Sequence, residues 1–168
     1  MGSHLYYYFT PYQEDIEAAL HALREEEFRA GRYNDAMLEA DSPQHMARFK
    51  FPPDANSPAP GPIHPDIQAM MQDMTEEGTG SILDIMWVSP TPEPCAAAPM
   101  AEEDLRLIFG TTQPTRADVE RMVIPPDQDT WRRTGAVFDR IRRGEARYFA
   151  VYDGGSPREI FFMGYSFD

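Results

Sequence analysis

The stretch ARYFAVYDGGSPREIFFMGYSFD, residues 146–168, decides how the rest of the chain is read. Two runs rich in aromatic and aliphatic residues flank Gly154, Gly155 and Pro157. Runs of this kind favour strands, and glycine with proline between them favours a turn, so the segment predicts a β-hairpin. A lone hairpin is marginal in water and needs further strands beside it. Ile160, Phe161, Phe162, Met163, Tyr165 and Phe167 crowd the second run. Burying them in a sheet contributes about 1.5–3 kcal/mol per large side chain. The competing expectation is an exposed apolar face, serving a partner or a second copy of the chain.

Two segments upstream offer the missing strands. LYYYFTPY, residues 5–12, predicts a short strand over 5–9. SILDIMWV, residues 81–88, is apolar on both faces, the pattern of a strand covered on both sides. Thr10, Pro11 and Gln13 combine a capping residue, a first-turn proline and a capping box, which predicts a helix over 11–30. Ile16, Ala19, Leu20 and Leu23 recur at helical spacing, and Gly31 predicts the stop. A second helix is predicted over 65–77, with Ile67, Met70, Met71 and Met74 on one stripe and Gly78 as its stop. Shorter helices are predicted over 100–109, closed by Gly110, and after Thr115. The last is predicted over 130–143, closed by Gly144. The proline-rich stretches 34–63 and 89–99 predict loops, the first anchored by Phe49 and Phe51. Residues 1–4, MGSH, resemble an expression-tag remnant, and His4 is set aside with them. The sum is a single α+β domain over 5–168: a small, mainly antiparallel sheet of about four strands packed by at least three helices.

Composition narrows the function classes. The 168 residues carry a net charge of −13, and the 15 basic residues are 14 arginines and one lysine. Residues 1–110 hold 19 acids against 6 bases, whereas residues 111–168 hold 9 of each. Such a chain repels nucleic acid and anionic membranes and attracts basic partners. No apolar run approaches the ~20 residues that cross a bilayer. A single cysteine, Cys95, makes no internal disulfide and suits a cytoplasmic location.

Asp84 is the residue that chemistry singles out. A carboxylate within an apolar run is costly unless paired, so it serves either as a base, ligand or substrate anchor, or as a structural partner of an arginine. Tyr7, Arg147 and Tyr165 are the side chains expected to join it in a ligand site. His21, His45 and His64 lie 24 and 19 residues apart, which matches no metal motif, and neither a metal nor a cofactor is expected. Cys95, in PEPCAAAP, has no histidine beside it and reads as a linker thiol. GTGS, residues 78–81, leads into an expected strand rather than a helix and reads as a turn, not a phosphate cradle. Arg132, Arg133, Arg140, Arg142 and Arg143 gather on the last predicted helix, as cations favoured near its C-terminus or as an anion site.

The acidic runs are the other candidate surface. Glu25 and Glu26, Glu76 and Glu77, and Glu102, Glu103 and Asp104 form either solvated helix faces or a docking surface for a basic protein. The functional expectation is therefore a non-enzymatic acidic binding protein, of the kind that acts as an immunity or inhibitor protein. The alternative is a small-ligand-binding domain or enzyme built on Asp84.

Overall fold

The computed structural model describes residues 4–35, 37–74, 78–124 and 128–167. Among them five strands form one mixed sheet: β1 (Leu5–Pro11), β2 (Trp87–Val88), β3 (Ala96–Pro99), β4 (Ala146–Asp153) and β5 (Ser156–Tyr165). Their order is β1-β5-β4-β3-β2. The β1–β5 and β4–β5 pairs are antiparallel, whereas β3–β4 and β2–β3 are parallel. The terminal run is thus a core strand, hydrogen-bonded on both sides. Asp153 faces Ser156 across a two-residue turn in which Gly154 (φ 57°) and Gly155 (φ 80°) are both left-handed. That conformation suits glycine and matches the twist of a hairpin.

The expectation of four mainly antiparallel strands is corrected at two places. The run 81–88 is not a strand throughout. Ser81 accepts a bond from the Leu83 amide and starts a single 3-10 turn over Ile82–Asp84, leaving only Trp87 and Val88 extended. The fifth strand, β3, comes from the stretch predicted as a proline-rich loop. Its Ala96, Ala97 and Ala98 are wholly buried. Alanine carries little β-propensity, so burial of a small side chain, not local preference, makes this strand. It runs parallel to β4 because three helices intervene between the two, as a parallel connection requires.

Strand alternation sends neighbouring side chains to opposite faces. Tyr6 and Tyr8 pack with Ile160 and Phe162 beneath α1 (Ile16–Ala30) and the turn carrying Ile82 and Ile85. Tyr7 and Phe9 pack with Phe149, Phe161 and Met163 on the other face. There α4 (Glu102–Phe109), α5 (Arg116–Met122) and α6 (Gln128–Phe138) contribute Leu105, Ile108, Val119 and Phe138. A third cluster joins Phe28, Tyr33, Met70 and Leu83 under α3 (Ile67–Asp73).

Several helix limits differ from expectation. β1 continues through Pro11, which pairs with Glu159, so the helix predicted over 11–30 begins later. Asp15 caps it by accepting from the Ala18 amide at 2.9 Å. Proline at the end of an edge strand is tolerated because no ladder donor is lost. Asp66 rather than Pro65 starts α3, and Thr75–Glu77 of the predicted 65–77 helix lie outside the described residues. The last helix stops at Phe138, not 143. Arg140 and Ile141 donate to the carbonyls of Val137 and Phe138 in tighter turns, and Arg142 and Arg143 leave the helix. The described residues of 34–63 include one short helix, α2 (Pro43–Ala47), and are otherwise irregular. Phe51 packs on Tyr8 with ring centroids 5.4 Å apart. His4, set aside with the first four residues, bonds the Gly80 carbonyl at 2.7 Å and receives Phe51 as a stacked ring. Among the described residues no helix is long and apolar enough to cross a membrane.

Candidate functional site

The loop GTGS folds around a carboxylate. Gly78 (φ 71°) and Gly80 (φ 67°) take left-handed conformations, which let the chain turn tightly between α3 and the 3-10 turn. The Thr79 amide donates to Asp84 Oδ1 at 2.6 Å, and the Thr79 and Ser81 hydroxyls bond each other at 2.9 Å. A Cβ at Gly78 would stand 3.0 Å from Asp84 Oδ2 and 3.1 Å from Phe167 Cβ, so glycine is what allows this close approach. Asp84 itself is only 2% exposed.

Three polar groups gather near that carboxylate. Arg24 reaches from the buried face of α1 and donates to the Leu83 carbonyl at 3.2 Å. Burial lowers its guanidinium from its ordinary value while the charge of Asp84 opposes the shift. Tyr6 projects from β1; burial first, then the charge of Asp84, pushes its hydroxyl well above the ordinary value. Burial and Asp84 likewise push up the Cys95 thiol. Cys95 sits in the left-handed region, at φ 60°. A non-glycine residue rarely holds that conformation, and such residues concentrate at ligand clamps and active sites. Two backbone bonds fix it: its amide donates to Gly144 O at 2.8 Å, and its carbonyl accepts from Met86 N at 2.7 Å.

Of these groups, Asp84 and Cys95 border a cleft of about 320 Å³. Asp84 and Cys95 supply its polar wall, Met71, Met74, Met86 and Phe167 its apolar walls, and Gly78 part of its rim. Thioethers and an aromatic ring adapt to varied apolar shapes, and the ring face attracts cations. The raised thiol stays protonated at neutral pH, so Cys95 is no ready nucleophile there.

The residues expected to join Asp84 are not with it. Tyr7, Arg147 and Tyr165 lie on the opposite face of the sheet, which separates them from the carboxylate. Arg147 bonds Glu145 at 3.0 Å and the Ala146 carbonyl at 3.0 Å. Tyr6 stands where Tyr7 was expected; one step along a strand changes the face. Cys95 carried no local signal, because its neighbours in the cleft come from distant segments.

The acidic runs divide similarly. Glu25 and Glu26 are exposed on α1, over one face, whereas Glu102, Glu103 and Asp104 lie on α4, over the other. Glu25 pairs with Arg29, Glu102 with Arg106, and Asp104 with Arg140. Glu76 and Glu77 lie outside the described residues. The third acid of the REEEF run behaves differently: Glu27 is 1% exposed and accepts from Arg32 Nε at 2.9 Å and Nη2 at 2.5 Å.

The histidines find local partners. His21 faces Glu17, His45 meets Asn34, and His64 stands between the Tyr33 hydroxyl and the carboxylates of Asp35 and Asp73. Among the described residues no three His, Cys, Asp or Glu side chains gather as a metal site. Compared with known proteins, the chain matches no family model, no curated protein and no solved structure.

Proposed function

We propose that this protein binds a small ligand with a cationic nitrogen on an apolar body, in the cleft at Asp84. One observation carries the proposal: a carboxylate 2% exposed borders a 320 Å³ cleft whose apolar walls are three methionines and a phenylalanine. Asp84 already accepts from the Thr79 amide and lies in the field of the buried Arg24, and a ligand N–H⁺ adds a charge-assisted bond from the cleft side. The cleft volume lies at the lower end of small-molecule pockets. The described lining residues offer no histidine and a thiol that stays protonated, which favours binding over acid–base or thiolate chemistry. Docking of a basic protein, as by an immunity or inhibitor protein, draws on the net charge of −13, but its candidate acids are spread over both faces of the sheet.

Calorimetric titration with benzylamine and benzyl alcohol tests the proposal. Benzylamine is expected to bind the wild type at least about tenfold more tightly than the alcohol, since a bond to a charged group contributes about 1.5–3 kcal/mol. Asp84→Asn is expected to abolish that preference. Asparagine keeps an oxygen for the Thr79 amide, so the variant should remain folded in a melt. Equal binding of benzylamine by both proteins, or equal binding of amine and alcohol by the wild type, contradicts the role given to Asp84.

A further inference from the structure

We infer that a second groove, lined by other residues of the 86–99 segment, binds a small organic carboxylate. The groove measures about 670 Å³ and runs between the start of α4 and the turn that follows α6. Arg140, Arg142 and Arg147 all line it. Residues 140–142 line it consecutively, which a helix with 3.6 residues per turn does not do; the early end of α6 at Phe138 makes this possible.

Charge bookkeeping in the groove leaves one cation over. Arg140 pairs with Asp104, and the buried Arg147 pairs with the buried Glu145 at 3.0 Å. Arg142 is exposed, and among the described residues its guanidinium makes no ion pair; only its backbone amide approaches Glu145, at 3.4 Å. A groove with one surplus positive charge, in a chain of net charge −13, runs against the field of the whole protein. The guanidinium fork matches a carboxylate with two parallel bonds. Asp104 and Glu145 stand in the same lining and repel a dianion, so a monoanion fits better than phosphate. Met100, Val137 and Ile141, with Pro90 and Pro92, line the groove for an apolar body. The α4 N-terminus adds little, because Glu102, Glu103 and Asp104 already occupy its first turn.

Titration with 4-phenylbutyrate, with 4-phenylbutanol and inorganic phosphate as comparisons, tests this site in the full chain. The wild type is expected to bind 4-phenylbutyrate at least about tenfold more tightly than either comparison. Arg142→Gln is expected to lose that margin, and Arg142→Lys to keep part of it, because a point charge lacks the fork. Both variants should bind benzylamine as the wild type does, because Arg142 does not line the Asp84 cleft. Arg142 is exposed, so neither substitution should disturb folding. The inference is overturned if Arg142→Gln binds 4-phenylbutyrate like the wild type. It is equally overturned if the alcohol or phosphate binds as well as the carboxylate, or if the wild type does not bind it.

Discussion

Arg32→Ala is expected to cost the fold about 3–5 kcal/mol, the penalty for leaving one member of a buried ion pair without the other. Glu27, 1% exposed with Arg32 in place, would lose its charged partner. The loss should depend on pH. Burial already pushes the Glu27 carboxyl above its ordinary value, and the bonds from Arg32 are the chief opposing influence. Those same bonds hold Arg32 above its own ordinary value. An acid with a raised value in the folded state keeps its proton longer there than in the unfolded chain. Stability therefore falls as pH rises from about 4.3, the unfolded value, through the folded value. Without Arg32 that window extends upward. Urea unfolding at pH 4 and pH 7 should show a small deficit in acid and the full deficit near neutrality. The same deficit at both values would mean that Arg32 contributes packing rather than charge.

Gly31→Ala should be nearly as damaging, for an unrelated reason. Gly31 ends α1 at φ 72°, and its amide bonds the Phe28 carbonyl at 2.9 Å. A Cβ there would stand 2.0 Å from the Gly61 carbonyl oxygen and 2.4 Å from its carbon. Both are backbone atoms, and the Gly61 amide is itself bonded to Ala30 O at 3.0 Å, so the contact cannot relax by rotating a side chain. The left-handed conformation costs alanine about 1–2 kcal/mol and the overpacking about 1–3 more. Gly110→Ala separates the two contributions. Gly110 has φ 75° with nothing within 4 Å of the added carbon, so only the conformational cost applies. Denaturation midpoints should fall further for Gly31→Ala than for Gly110→Ala. Equal losses would mean that the 61 region moves aside.

Particular residues explain how much of this was legible in the sequence. The terminal hairpin was, because Gly154 and Gly155 punctuate two strongly strand-forming runs and the preference is local. Gly31, Gly110 and Thr115 marked helix ends correctly for the same reason: each conformation or cap depends on a few adjacent residues. β3 was not legible, since Ala96–Ala98 form a strand only by lying between β2 and β4. The start of α1 was missed because Thr10 and Pro11 satisfy a helix-start pattern equally well at the end of an edge strand, where β5 claims them. Asp84 stood out by its setting, but its companions did not. Tyr6, Arg24 and Cys95 come from β1, α1 and the approach to β3, and only the fold brings them together.

The most direct test of the Asp84 cleft uses Cys95, the only cysteine in the chain and a half-buried part of the cleft wall. The rate at which a disulfide reagent consumes its thiol should be measured with and without benzylamine. With the amine at a concentration that saturates the calorimetric titration, the wild-type thiol should react several-fold more slowly, and Asp84→Asn should lose that protection. A wild-type rate unchanged by saturating benzylamine would place the amine elsewhere and contradict the assignment of this cleft as the ligand site.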